Sequence, residues 1–395
     1  MKEFRRLDLN AVEAGISIHS LMANAGKALA TQARNMVASG KVVLLCGKGN
    51  NGGDGFAAAG VLLRWGFEAH VVLLEAPAQV GDVPRRFLEL LPDDRVHAWG
   101  RDRRAWNDAA LVVDCMLGSG IQGRPRTPYD QAVRWMNRHA GLKLACDVPS
   151  GIGSKMQVVP DATVTFHAEK VGMAGCSGVI HVADIGIPKR LQKEVGLGDL
   201  DVGFVRPRSE GHKGDHGRVL IVGGGPFTGA PHYAGMGAVR AGADLVHAAI
   251  PSPAAQVVQS WGPDLLVHAI GHHALSPADV PDILALAAHA DALVIGPGLG
   301  HEAGTLEAVR AILDGTEHPC VIDADGLRAL DQATLARHGA RLLLTPHGAE
   351  FKRLAGRQPT AANVATFAAR HGVTVLAKGP IDHISDGSTT RVCKR

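Results

Sequence analysis

The sequence predicts a two-domain α/β protein, each half a mostly parallel sheet with helices on both faces. Three observations predict it. The 395 residues exceed what one ordinary core holds, so two domains are expected. Short β-branched runs alternate with helical patterns, which is the rhythm of strand–helix–strand units in a parallel sheet. That rhythm pauses over a polar stretch after Pro188 and then restarts. The expected division is 1–190, a linker over 191–208, and 209–395.

Taken in order, residues 16–38 read as a helix, because Leu21, Ala25, Ala28 and Leu29 recur at helical spacing. KVVLLC (41–46) is a short apolar run closed by glycines, hence a buried strand. A helix from Phe56 to Trp65 and a strand AHVVLLE (69–75) follow. ALVVD (110–114), LKLACD (142–147), ATVTF (162–166) and VIHVADIGI (179–187) complete the first set of strands. The second half offers RVLIVGG (218–224), a helix over 230–242 and DLVHAAI (244–250). It continues with ALVIG (292–296), PCVIDAD (319–325), RLLLT (341–345) and VTVLAKG (373–379).

Composition narrows the function. Net charge is +3 with Lys and Arg dispersed, which leaves no footprint for nucleic acid. The six cysteines contain no C-x-x-C pair, and Cys46, Cys115, Cys146 and Cys320 lie in or beside apolar runs. They read as reduced core thiols, not as a disulfide framework or metal site. The opening MKEFRRLDLN has no signal-peptide stretch, and no apolar run is long enough to cross a bilayer. A cytoplasmic protein without membrane contact is expected.

Three strand ends carry the first constellation. In GKGNNGGDG (47–55), Gly47, Gly49 and Gly52 satisfy G-x-G-x-x-G, and Glu75 ends the next strand where a ribose-binding acid would sit. A Rossmann-type NAD(P)-dependent oxidoreductase is therefore one reading, and a merely tight turn is the bland one. Asp54 argues against pyrophosphate docking, because a carboxylate near the helix start competes with a phosphate for the free N–H groups. Its bland role is an N-cap. The adjacent amides Asn50 and Asn51 suit polar edges or a hard cation.

Asp114, followed by LGSGIQGR (117–124), and Asp147, followed by Val148, Pro149, Ser150 and Gly151, end two further strands. Ligands of open parallel sheets bind beyond the carboxyl ends of the strands. Asn51, Asp114 and Ser150 offer oxygen ligands with one full charge. Zn²⁺ recruits His or Cys and tight Ca²⁺ sites more carboxylates, so a weakly charged hard ion, potassium for preference, fits. Asp147 remains as catalytic acid or base, with Lys170 as a possible partner. Taken alone, Lys170 reads as an exposed surface charge.

KGNNGGDG, the D-x-x-L-G-S-G segment from Asp114 and DVPSG at 147–151 together resemble the NAD(P)H-hydrate epimerase domain, a Rossmann-like three-layer sandwich. The match covers 5–190. The resemblance implies interconversion of the C6 epimers of hydrated NADH or NADPH, with a potassium ion. It places Asn50, Asn51, Gly52, Gly53, Asp54, Gly118, Ser119, Gly120, Ile121, Gln122, Gly123, Arg124 and Asp147 on the substrate. It places Asn51, Asp114 and Ser150 on the ion. Lys48 departs from the smaller or uncharged residue common there.

The second half carries HKGDHGRVLIVGG (212–224), IGPGLG (295–300), DADGL (323–327), TPHGAE (345–350) and LAKG (376–379). Singly these are weak: His347 alone reads as a satisfied loop histidine, and Lys378 as solvated or as a phosphate-binding point charge. In this order they are similar to the ADP- or ATP-dependent NAD(P)H-hydrate dehydratases, a ribokinase-like α/β fold. The resemblance implies that Ala230, Gly298 and His347 contact the hydrated nicotinamide. Lys378, Gly379, Pro380, Ile381 and Asp382 would hold the phosphates of the adenine nucleotide, with Mg²⁺. Phosphorylation turns the ring hydroxyl into a good leaving group. The family's G-T-G-D segment is not met before Arg395, so a truncated, impaired dehydratase half is expected. The expected partners are the hydrated nucleotide and an adenine nucleotide, in a homo-oligomer. A non-catalytic nucleotide-binding protein is the remaining alternative.

Overall fold

The computed structural model describes residues 2–100, 103–120, 123–204, 210–271 and 273–394, the side chains of residues 2 and 3 excepted. They form two compact units, Met1–Gln192 with Gly196–Gly203, and Lys193–Val195 with Phe204–Arg395.

The first unit opens with helices α1 (Lys2–Glu13) and α2 (Ile18–Met36). Strand β1 (Lys41–Cys46), helix α3 (Asn50–Arg64), strand β2 (Glu68–Leu73), helix α4 (Asp82–Leu88) and strand β3 (Val96–Ala98) follow. Then come β4 (Leu111–Cys115), α5 (Tyr129–Arg138), β5 (Leu142–Cys146), β6 (Ala162–Phe166), β7 (Val179–Ala183) and α6 (Leu197–Gly203). The seven strands lie in the order β3-β2-β1-β4-β5-β6-β7 and every pairing is parallel. Val42, Val43, Leu44 and Leu45 of β1 are all fully buried, as expected where helices cover both faces. Leu44 and Cys46 pack with Leu29 of α2 and Phe56 and Leu62 of α3. Val43 and Leu45 pack on the other face with Val133 and Met136 of α5. Strand order reverses between β1 and β4, and an open sheet of this kind forms its ligand crevice there.

The stretch 191–208, expected as a bare linker, carries structure. Asp199 of α6 accepts from Asn10 of α1 at 3.0 Å, and Asn10 in turn accepts from the Gly198 amide at 2.8 Å. Val195 donates from its backbone to Val392 at 2.8 Å, within the second unit. These ties are polar, so no apolar periodicity announced them. Residues 205–209 lie outside the described residues.

The second unit starts with β8 (Arg218–Val222), α7 (Gly229–Arg240), β9 (Leu245–Pro251), α8 (Ser252–Ser260) and β10 (Leu266–Ile270). It goes on with α9 (Val280–Ala287), β11 (Ala292–Ile295), α10 (Ala303–Gly315), β12 (Cys320–Ile322) and α11 (Gln332–His338). It ends with β13 (Leu342–Leu344), α12 (Gly348–Ala355), α13 (Ala361–His371), β14 (Thr374–Ala377), β15 (Ile381–Ser385) and β16 (Thr390–Lys394). The sheet order is β10-β9-β8-β11-β12-β13-β14-β15-β16, with only the last two pairings antiparallel. Its order reverses between β8 and β11. Leu220, Val222, Ile295, Ile322 and Leu344 fill one side of the core, and Ile221, Val246 and Ile250 pack with Ala254 and Val258 of α8 on the other. Among the described residues no helix is long and apolar enough to cross a membrane.

Candidate functional site

The first crevice begins where β1 ends. Gly49 is the N-cap of α3, so Asp54, in the helix's second turn, does not cap it as the bland reading had it. A Cβ on Gly47 would lie 2.1 Å from the Met116 carbonyl oxygen, and one on Gly52 would lie 1.8 Å from that of Gly47. The two glycines let α3 wedge against the tip of β4, and that packing accounts for the G-x-G-x-x-G spacing. Glu75 does not present itself to a ribose. It accepts from the Tyr129 hydroxyl at 3.0 Å and lies 3.5 Å from the Lys48 ammonium.

Asp114 is fully buried at the end of β4. Its Oδ1 accepts from the Ser150 hydroxyl at 2.6 Å and the Met116 amide at 3.1 Å, and Oδ2 accepts from the Ser150 amide at 2.7 Å. Burial pushes its carboxyl up to about 6 against the pull of those bonds. The Ser150 hydroxyl also accepts from the Leu117 amide at 2.9 Å. The next residue, Gly118, abuts Asn51: a Cβ there would lie 3.5 Å from the Asn51 Cβ. Asn51 is nine-tenths buried, yet among the described residues its Nδ2 has no hydrogen-bond partner. An orphaned buried amide after β1, and a carboxyl raised by desolvation at the tip of the neighbouring β4, are each what a small cation would relieve. Side-chain amide N and O exchange places by a simple flip, so the three side chains fit a potassium ion.

Asp147 follows β5 in the left-handed region, at φ 63°. Its Oδ1 lies 2.5 Å from the Lys170 ammonium. Lys170 is buried, correcting its reading as a surface charge, and donates also to Thr165 Oγ1 at 2.6 Å and the Phe166 carbonyl at 2.8 Å. The ammonium thus meets a carboxylate, a hydroxyl and a carbonyl. The Phe4 ring of α1 lies 4.6 Å from Nζ and stabilises the cation further. Asp54 points to the same tip, its Oδ2 4.0 Å from the Cys146 thiol. Burial, then the Asp147 and Asp8 charges, raise its carboxyl well above the carboxylate range, while Lys170 pulls the other way. Asp8 of α1 stands 3.6 Å from His167, another left-handed residue at φ 69°.

Phe4, Asp8, Thr165 and His167 were not found by sequence reasoning, for none sits in a motif; only a helix packed back over the strand tips unites them. Asn50 is exposed, Gly52 and Gly53 are buried, and Gly118, Ser119 and Gly120 run from half-buried to exposed along the crevice. Gly123 and Arg124 are exposed. Ile121 and Gln122 lie outside the described residues.

The second crevice is assembled from glycine loops. A Cβ on Gly296 would lie 1.9 Å from the Asp323 carbonyl oxygen, and one on Gly298 would lie 2.5 Å from that of Phe227. Ala230 stands exposed in the first turn of α7. Lys378 is not a solvated charge: its ammonium lies 2.7 Å from Asp323 Oδ1. A backbone bridge joins it to His347, and Ala324 beside Asp323 is again left-handed, at φ 47°. His347 caps α12. Its Nδ1 accepts from the Ala349 amide at 3.1 Å, and Glu350 reciprocates on the His347 amide at 2.8 Å. Nδ1 therefore acts as acceptor and Nε2 carries the proton. Asp382 is buried, and its Oδ1 accepts from the Gly379 amide at 2.9 Å. Pro380 and Ile381 stay exposed on that turn.

Comparison with known proteins agrees with this geometry. A family described as YjeF-related protein N-terminus matches residues 18–172, and one described as NAD(P)H-hydrate dehydratase matches residues 219–394. The bifunctional NAD(P)H-hydrate repair enzyme Nnr of Methanothermobacter thermautotrophicus is 38% identical, over 98% of this chain and 80% of its own. Its namesake in Hyperthermus butylicus is 36% identical over 98% and 77%, and that of Archaeoglobus fulgidus 36% over 99% and 82%.

Proposed function

The chain belongs to the bifunctional NAD(P)H-hydrate repair enzymes, and from that premise we propose that its first crevice epimerises hydrated NADH and NADPH at C6. The observation that carries this reading is the Asp147–Lys170 pair. A buried ammonium 2.5 Å away gives the Asp147 carboxyl a cationic partner, and a left-handed backbone sets that side chain at the strand tip. Backbone strain of this kind costs about 1–3 kcal/mol and persists where function over-determines it. Asp147 then serves as the base, and Lys170 positions it.

Asn51, Asp114 and Ser150 would hold potassium, which when bound supplies a fixed positive charge that does not titrate. Asn50, Gly52, Gly53 and Asp54 would meet the nicotinamide. Gly118, Ser119, Gly120, Ile121, Gln122, Gly123 and Arg124 would border the remainder of the nucleotide, with the exposed Arg124 guanidinium free to take a phosphate. In the second unit Ala230, Gly298 and His347 would receive the S epimer, and Lys378 with the turn through Asp382 would hold ADP or ATP and Mg²⁺ for dehydration.

The test is chromatographic. The purified chain, given one epimer in potassium buffer, brings it to the equilibrium mixture faster than buffer alone. Interconversion at the uncatalysed rate, or stoichiometric hydride transfer to a second substrate, would defeat the reading.

A further inference from the structure

We infer that Asp54 is a second catalytic group of the first crevice, the acid that protonates the departing C6 hydroxyl while Asp147 deprotonates the water that replaces it. This inference rests on the epimerase reading above.

The argument starts from donors. A carboxylate keeps its charge inside a protein through N–H donors or a cation. Asp114 accepts from two backbone amides and a hydroxyl, and Asp147 has an ammonium. Asp54, at the same strand tips, has only the weak Cys146 thiol at 4.0 Å among the described residues. It is half-buried and closely walled, as a group on the floor of a cleft should be. It caps no helix and pairs with no cation. The charged groups acting on it are Asp8 from α1, Asp147 after β5, and Lys170. Cys146 lies alongside, and His167 stands behind Asp8. Two acids outweigh one base already paired with Asp147, and burial adds to them, so the surroundings of Asp54 favour its protonated form. Two carboxyl groups whose surroundings separate their protonation states make an acid and a base.

Epimerisation needs that division of labour. The C6–O bond breaks as the lone pair on N1 forms a C6=N1 iminium, and the hydroxyl leaves as water with the Asp54 proton. Water then adds to the other ring face, the electron pair returns to N1, and the surplus proton passes to Asp147. The enzyme is left with Asp147 protonated and Asp54 ionised, which is the arrangement the reverse conversion requires. Proton exchange between the two resets the forward form.

Asp54→Asn keeps the shape and a hydrogen-bond donor but loses the transferable proton. We expect kcat for epimerisation to fall by about 10²-fold or more with KM within a few-fold, and the alkaline limb of the kcat/KM profile to disappear. In infrared difference spectra a protonated-carboxyl band present in the wild type at neutral pH should vanish in Asp54→Asn. Asp147→Ala is the control. Should Asp147→Ala be inert while Asp54→Asn keeps nearly full kcat, or loses activity through KM alone, the inference fails and the epimerase reading stands. Should the wild type convert neither epimer, the epimerase reading fails. The infrared band then still decides whether Asp54 holds a proton, and its absence from the wild type overturns the inference.

Discussion

Both sheets reverse their strand order once, between β1 and β4 in the first unit and between β8 and β11 in the second, and both place glycine loops at that point. What stands among the loops differs. The first crevice encloses Asp114 and Lys170, with Asp54 and Asp147 beside them, and burial raises two of these carboxyls. The second holds Lys378 and Asp323 as a pair whose side chains are 35% and 30% exposed, and a histidine occupied with capping a helix. Proton transfer has to be done by the protein's own side chains, so their protonation states must be set by desolvation and neighbouring charge. Phosphoryl transfer rests mainly on positioning and charge neutralisation, and much of that charge arrives with the nucleotide and Mg²⁺. One plan, a switch-point crevice floored by glycines, thus carries two different sets of side chains.

Breaking one crevice should leave the other intact, and the largest effect expected is Asp147→Ala. Epimerisation should fall by about 10³-fold, while ADP binding to the second unit, read by calorimetry, stays unchanged. Loss of both would end the comparison. Gly52→Ala and Gly296→Ala come next, because each adds a Cβ within 2 Å of a backbone oxygen. Each should cost about 3 kcal/mol, seen as a lowered midpoint in urea, and only the unit carrying the change should melt early. Lys378→Met should weaken ADP about tenfold or more, equivalent to roughly 1.4 kcal/mol, with epimerisation unaffected. Ser150→Ala should raise the potassium concentration for half-maximal epimerisation about tenfold, with no effect on ADP binding.

The smallest effect concerns stability. Asp54 has its folded value raised, so its ionisation opposes folding, and the penalty grows as pH rises above the ordinary carboxylate range. Asp54→Asn should therefore raise the thermal midpoint by a few degrees, about 1 kcal/mol, more at pH 8 than at pH 5. A loss of stability would mean that the native state prefers the ionised carboxylate.

Much of this was legible in the chain. Strand β1 was read at its observed bounds, and the other central strands to within a few residues, because fully buried parallel strands are unbroken apolar runs. Strands β3, β10, β15 and β16 escaped notice. β3 has three residues, and IDHIS and TRVCK mix polar side chains into a hairpin at the sheet edge. Asn51, Asp114, Asp147 and Ser150 stood out because chemistry at a strand tip sits beside glycine, a local signal.

By itself the sequence determined two α/β halves, glycine loops at the carboxyl ends of their strands, and which oxygen-bearing residues stand at the first set. It could do so because strand periodicity and loop composition are written within a few residues of each other. Only the tertiary structure decided that Lys170 is buried on Asp147, that Phe4 and Asp8 return over the site from α1, that Glu75 is spent on Tyr129, and that Asp54 has only the Cys146 thiol as a donor among the described residues. Protonation state depends on everything within a few ångströms, and those neighbours come from separate segments of the chain, from Phe4 and Asp8 at one end of the unit to Lys170 at the other.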